Sequence, residues 1–362
     1  MSPSQERSSS APPVPGAVPA VALLSLEPWD DVWRRNQHIA AELVRQGLVE
    51  RLLFVEPPAR RPLPVRRPVP GISVVTPRRT LPKRAGGNAA VGLALRAGLL
   101  RTADLLWVND PEVGATAVRR GQPAVYDVTD DWREAPAAPR EVRRIVRAED
   151  RLARTSATVV CSQVLRTRWQ ERYGVDAALV PNGIDASAWR APAARPLTGP
   201  GPHVGYVGTL HHERVDVPLA LTLAAHPSVG TLHFVGPVAL DAEHRARVEA
   251  EPKIRLHGPV PATDVPAWTS AMDVLVCPHR ITPFTLSLDA IKSYEYLASG
   301  RPVVATPTSG FQHLSAPQLC VTDTDGFVTA VADWLTRPPS GSDREVGTWA
   351  QRAREFRAAW PL

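Results

Sequence analysis

The chain of 362 residues is 44% hydrophobic and 22% charged, which excludes a mainly disordered or fibrous protein, and its length suits two ordinary domains better than one core. The net charge of +6 is uneven, with +8 on residues 1–190 and −2 on residues 191–362. Cys161, Cys277 and Cys320 lack metal-ligand spacing and read as small core residues of a cytosolic protein. No stretch approaches the roughly 18–20 apolar residues of a membrane span.

Residues 1–18 are rich in Ser and Pro and read as a disordered tail, not a signal peptide. Apolar runs then predict strands at 20–25, 52–55, 72–75, 104–108, 124–127, 158–161 and 178–180. Helices are predicted between them at 33–46, 90–100, 140–155 and 163–173, the last with Ser162 as N-cap. Residues 191–203, dense in Pro and Gly, read as an interdomain linker.

The alternation then restarts. Strands are predicted at 204–207, 232–235, 254–256, 274–277 and 302–305, and helices at 218–225, 264–272, 290–299, 327–335 and 346–360. Strands alternating with helices indicate parallel α/β sheets. The expected organisation is an N-terminal Rossmann-like domain over 19–190, the linker, a second Rossmann-like domain over 204–345, and a terminal helix within 346–362. Two such domains leave a cleft between the carboxyl ends of their strands, the default site for a small-molecule reaction.

The segment 289–306, DAIKSYEYLASGRPVVAT, carries the sharpest chemistry. Lys292 and Glu295 stand three apart on a predicted helix and so share a face. A lysine suits a diphosphate and a glutamate suits a vicinal diol, although an ordinary surface pair has the same spacing. Lys292 is one of only three lysines against 39 arginines, so biased codon usage does not account for it. Asp130 and Asp131 follow a predicted strand end, where a carboxylate either orients an acceptor hydroxyl or caps a helix. Trp29, Trp33 and Trp132 are placed to stack on a ring or to pack. His38 lies in a helix and reads as a core or capping histidine. His211-His212 has no third ligand at a fitting interval, so no metal is expected.

Several stretches, taken in order, resemble the GT-B fold retaining nucleotide-sugar glycosyltransferases of the family 4 type, and within them the teichuronic-acid-type branch. They are WDDVWRRNQH at 29–38, YDVTDDW at 126–132, VPNGID at 180–185, GYVGTL at 205–210, HGPVP at 257–261 and K-x-x-E-Y-L-A from Lys292. The resemblance implies a GT-B fold with acceptor in the first domain and donor in the second, and a last helix that crosses back to the first domain. It implies that Glu295 meets the donor ribose and that Lys292, with Arg214, meets the diphosphate. Gly208, Thr209 and Leu210 would present N–H groups to the phosphates, and Gly258, Pro259 and Val260 would line the base pocket. Asp130, Asp131 and Lys292 are the catalytic candidates. Trp29, Asp30, Trp33, His38 and Trp132 are the acceptor-side candidates.

Two departures stand out. Ser287 occupies the place of the larger group's first glutamate, and Thr209 and Arg214 replace its loop Arg and Lys. The implied reaction is transfer of a sugar, with UDP as the expected nucleotide, to a small-molecule, glycan or lipid-linked acceptor, in secondary-metabolite or glycan biosynthesis, without metal or other cofactor. The alternatives are a UDP-sugar epimerase of the same fold and a catalytically silent sugar-nucleotide-binding relative. A nucleic-acid binder lacks a motif, and a Rossmann dehydrogenase lacks G-x-G-x-x-G after the first strand. Residues 57–103 contain ten basic and no acidic side chains, which points to an anionic acceptor or to peripheral contact at the inner membrane face of the cytoplasm.

Overall fold

A computed structural model describes residues 18–190, 195–337 and 346–362. Residues 1–17 of the expected tail and residues 191–194 of the expected linker lie outside them, as do residues 338–345, while Val18, expected in the tail, opens the first strand.

Eight strands form the first sheet: β1 (Val18–Leu24), β2 (Val49–Val55), β3 (Arg66–Val69), β4 (Ile72–Val75), β5 (Leu105–Val108), β6 (Ala124–Val128), β7 (Ala157–Val160) and β8 (Ala178–Leu179). Their order is β3-β4-β2-β1-β5-β6-β7-β8, and every pairing is parallel except β3 with β4. After these come β9 (His203–Val207), β10 (Leu210–His211), β11 (Thr231–Val235), β12 (Val238–Ala239), β13 (Ile254–Leu256), β14 (Val274–Cys277), β15 (Val303–Ala305) and β16 (Leu319–Val321). Six of them make a wholly parallel sheet, β13-β11-β9-β14-β15-β16, while β10 and β12 pair separately. Helices cover both sheets, so central strands such as β5 and β14 are buried throughout and read as unbroken apolar runs.

Each sheet reverses direction beside its first strand, between β1 and β5 and between β9 and β14. Ligands of doubly wound sheets sit at the carboxyl ends of strands at such switch points. This is the two-domain GT-B architecture that the alternation and motifs pointed to.

Helix ends follow local chemistry. Ser162 Oγ accepts the Leu165 N–H at 3.2 Å and starts the Gln163–Tyr173 helix, which Gly174 ends at φ +64°. Several elements escaped the sequence reading. The Pro111–Ala117 helix is capped by Asp110 with proline at its first position, and the Ala242–Ala250 helix is capped by Asp241. The edge strand β3 has no apolar pattern and is carried by its hairpin through Gly71, at φ +78°. The predicted helix 33–46 begins at Arg35, and that at 346–360 runs only over Trp349–Ala358.

This last helix lies on the N-terminal domain. Trp349, Ala353, Phe356 and Trp360 are buried in the same cluster as Ile39, Leu43, Leu105 and Trp107, with the Trp107 and Phe356 rings 4.6 Å apart. Fully burying an aromatic side chain of this kind contributes about 2–3 kcal/mol.

Candidate functional site

Three motif stretches meet in one buried network. Arg35 ion-pairs with Asp127 at 3.1 Å, both side chains being almost fully buried. The same guanidinium donates to the Pro181 carbonyl at 3.2 Å, and Asn182 in turn reaches the second domain through Asp289. At the switch point of the first sheet, Asn109 accepts from Asn36 at 2.8 Å and from the Leu26 N–H at 3.1 Å, and donates to the Asp127 carbonyl at 3.2 Å. These contacts fix the loop ends that carry Glu27, Asp130 and Asp131.

In the second domain, three adjacent strands end in glycines of positive φ: Gly208 at +133°, Gly236 at +140° and Gly258 at +71°. They are laced together, the Gly208 N–H to the Val235 carbonyl and the Gly236 N–H to the Gly258 carbonyl, each at 2.8 Å. A Cβ on Gly236 would stand 2.3 Å from the Gly208 carbonyl oxygen, and one on Gly208 would stand 2.7 Å from Lys292 Nζ. Glycine is required here both by backbone conformation and by close approach. Gly236 was missed, although FVGP repeats the pattern of YVGT.

The Ile291–Ala298 helix sets Lys292 against this glycine turn. Lys292 Nζ lies 3.7 Å from the centre of the Tyr206 ring and donates to its hydroxyl. The Tyr206 hydroxyl donates to the Thr209 carbonyl at 3.0 Å, and His279 Nε2 stands 3.1 Å from the Tyr206 hydroxyl oxygen. His279 Nδ1 is 2.9 Å from Ser309 Oγ. Ser309, at φ +57°, is the one non-glycine residue of positive φ among the described residues. Its carbonyl accepts the Ala290 N–H at 3.0 Å and so anchors the start of the Lys292 helix. Such a conformation persists only where the surroundings hold it, and it clusters at functional sites. His279 and Ser309 carried no signal that sequence patterning could read, and Tyr206 lay within GYVGTL with no role assigned to it.

Burial pushes the Lys292 ammonium down to about 8 and the Glu295 carboxyl up to about 7, each partly offset by its partner's charge. Arg214 is half-buried and acts electrostatically on Lys292, on Tyr206 and, across the cleft, on Asp130 and Glu27. Burial raises the carboxyls of Asp130 and Glu27. Glu27 was not among the residues expected here.

The other expected site residues are placed as follows. Asp131 is fully engaged: Arg168 donates to it at 2.6 Å and Arg172 at 2.9 and 3.0 Å, and these partners outweigh burial and hold its carboxyl below the usual range. A carboxylate held this way anchors its loop, which leaves Asp130 as the freer of the pair. Trp29 is 6% exposed and packs edge-on against Trp33 and Phe54, so its ring is core and not a stacking face. Trp33 and Trp132 are half-buried. His38 stacks on Trp349 at 4.6 Å, and burial lowers it to about 4. Asp30 pairs with Arg34 at 3.2 Å. The Leu210 side chain is buried and its N–H donates to the Pro237 carbonyl at 2.9 Å, so Leu210 does not offer the phosphate-facing N–H expected of it. Pro259 is exposed, while Val260 packs against the core. Ser287 is buried, its carbonyl accepting the Ser162 hydroxyl across the domain boundary at 2.6 Å. His212 does find companions: Asp241 and His244 gather around it, brought in by the next crossover and not by any sequence interval.

Residues 32–188 match the model of Glycosyltransferase Family 4, and residues 201–337 match that of Glycosyl transferases group 1. The chain thus has the paired domains of a GT-B glycosyltransferase fold. Among individual proteins, it is 26% identical over 212 residues to TuaH of Bacillus subtilis, named for a glycosyltransferase of teichuronic acid biosynthesis; the match covers 53% of this chain and 52% of that one. The chain spans about half the length of the curated relatives it matches. Its fold is similar to that of sucrose-phosphate synthase from Thermosynechococcus elongatus (TM-score 0.71, 17% identity, 94% of each chain). It is also similar to Anabaena HepE solved with UDP-glucose (TM-score 0.60, 16% identity, 94% of each chain).

Proposed function

We propose that this protein is a glycosyltransferase that moves a sugar from a nucleotide-diphosphate donor, UDP-linked, to a hydroxyl acceptor in the interdomain cleft. The observation that carries the reading is Lys292 and Glu295 on one helix beside the glycine turn at the switch point of the second sheet. The likeness to a protein solved with UDP-glucose supports the choice of donor.

In this reading Lys292 and Arg214 take the diphosphate, helped by the Thr209 N–H, since those of Gly208 and Leu210 already donate to the Val235 and Pro237 carbonyls. Two cations and oriented backbone dipoles stabilise the departing nucleotide without a divalent ion. Glu295 accepts the ribose hydroxyls, and the Gly258–Pro259–Val260 turn borders the base. Asp130 orients the acceptor hydroxyl, whose proton passes to the leaving phosphate. Asp131 positions Asp130, and Trp33 and Trp132 border the acceptor. His38 supports Trp33 and does not touch the reacting atoms. In this reading the acceptor attacks on the face the nucleotide leaves, with retention, and the order of the motifs supports the teichuronic-type branch.

The acceptor side is basic and partly apolar. Leu63, Val65, Leu81, Leu93 and Leu99 are exposed among Arg60, Arg61, Arg67, Arg78, Lys83, Arg84 and Arg101. This supports an anionic or lipid-linked acceptor and peripheral contact with an anionic membrane at its cytoplasmic face, in glycan or secondary-metabolite biosynthesis. Among the described residues no helix is long and apolar enough to cross a membrane.

The test is a donor-by-acceptor matrix with mass detection, run beside calorimetric UDP titration. Saturable UDP binding and acceptor-dependent mass gain are expected. Epimerisation of donor without acceptor, or donor binding with no turnover across a broad acceptor panel, overturns the transferase reading.

A further inference from the structure

The parallel pair β10–β12 places two crossover loops side by side, with Leu210 opposite Val238 and His211 opposite Ala239. His212 follows the first of these strands and Asp241 the second, and Asp241 caps the helix that carries His244 in its first turn. His212 Nδ1 stands 3.0 Å from Asp241 Oδ2, and His244 Nδ1 stands 2.8 and 2.9 Å from the two Asp241 oxygens. The two imidazole rings are 5.2 Å apart.

Two features separate this group from a chance surface cluster. The Asp241 carboxylate is aimed by backbone, accepting the His244 N–H at 2.7 Å, and does not depend on side-chain rotamers alone. His212 Nδ1 is sealed from solvent, and its contact with Asp241 lacks hydrogen-bond geometry, so this nitrogen is left with no hydrogen-bond partner.

We propose that His212, Asp241 and His244 form a binding site for a transition-metal ion of the zinc class, with one position open to water. Two imidazoles and one carboxylate select borderline ions over calcium or magnesium, which prefer all-oxygen sites. Zinc bonds of about 2.0–2.2 Å set neighbouring ligand atoms of a tetrahedron about 3.3 Å apart. The contacts of 2.8–3.0 Å need to widen by only a few tenths of an ångström, which side-chain torsions of these partly exposed residues allow.

The ion would act as a clamp. His212 lies between Gly208 and Arg214 in the chain, so a metal there ties the loop carrying both to the start of the Ala242–Ala250 helix. Its role is to order the loop, not to take part in chemistry. The site stands on these three side chains and not on the glycosyl-transfer reading.

The test is calorimetric titration of the untagged, EDTA-treated full chain with Zn²⁺. One zinc ion per chain and a higher melting temperature with zinc are expected. His212→Ala and His244→Ala should each weaken affinity roughly tenfold or more, and the double variant should lose both effects. Zinc affinity unchanged in the double variant overturns the proposal, as does no binding by the unaltered chain. If the double variant does not fold, Co²⁺ added to the unaltered chain decides. Intense visible bands of a four-coordinate ion support the site, and the weak bands of the aqueous ion overturn it.

Discussion

The backbone N–H of Asn182 donates to Asp289 Oδ2 at 2.6 Å, and the Asn182 side chain donates to the Asp289 carbonyl. Asn182 belongs to VPNGID at the end of the first domain and Asp289 opens the segment that carries Lys292, so one residue pair couples the two halves at the cleft. Burial holds the Asp289 carboxyl up near 6, while the Asn182 N–H and the Tyr294 hydroxyl draw it down. Replacing Asp289 by Ala removes the two bonds to the carboxylate, leaves the Asn182 side-chain bond to the main-chain carbonyl, and should loosen the domain pair. Small-angle scattering should show a larger donor-free radius than for the unaltered chain, and an unchanged profile would count against the coupling.

Lys292→Met keeps length and apolar stem but deletes the charge. UDP affinity should fall roughly a hundredfold, the scale of a lost charge-assisted contact of about 2–3 kcal/mol. Calorimetry against UDP measures it, and circular dichroism checks that the variant folds.

Lys292 and Glu295 set a narrow pH window. Glu295, raised to about 7, must be deprotonated to accept ribose hydroxyls, so donor use falls as pH drops below that value. Lys292, lowered to about 8, must be protonated to hold diphosphate, so donor use falls as pH rises above it. The profile of kcat/KM for the donor should be a bell whose two limits belong to the coupled pair. Glu295→Gln should flatten the acid limb and, by removing a charge that raises Lys292, move the alkaline limb to lower pH. A full bell in that variant would assign the acid limb elsewhere.

Asp130 and Asp131 should separate cleanly. Asp130→Ala should lower kcat by roughly 10²–10³-fold with little loss of stability, as for a group that orients a reacting hydroxyl. Asp131→Ala leaves Arg168 and Arg172 unpaired and should cost about 3 kcal/mol of stability. Urea unfolding and steady-state kinetics on both variants decide it.

Removing one side of the Arg35–Asp127 pair should be more damaging still. Asp127→Ala strands a buried guanidinium, at a cost of about 3–5 kcal/mol in urea unfolding. A loss under about 1 kcal/mol would mean that solvent reaches Arg35.

Legibility followed the range of the forces. Parallel strands buried on both faces are plain apolar runs, so β14 was read with its observed bounds, and capped helices such as Gln163–Tyr173 were as well. The Asp110-Pro111 cap was an available signal left unread. What stayed hidden depends on chain folding back on itself. Nothing local announces that Arg168 and Arg172 would occupy Asp131, that Trp29 would pack on Phe54, or that the Ser309 carbonyl would seat the Lys292 helix. The three residues His212, Asp241 and His244 lie on separate crossovers, so no spacing rule could join them. Charge told less than expected. Arg66 lies in the basic run but pairs with Glu56 and donates to the Trp29 carbonyl, so it is structural and not part of a free patch.

The return of the Trp349–Ala358 helix imposes an order on biosynthesis. Trp107 emerges from the ribosome long before Phe356, its neighbour in the finished core. The first domain therefore cannot seal its apolar face during translation, and must wait with that face uncovered until the second domain is made. A nascent chain arrested after residue 190 should accordingly recruit holdase chaperones, and release them once the last helix is supplied.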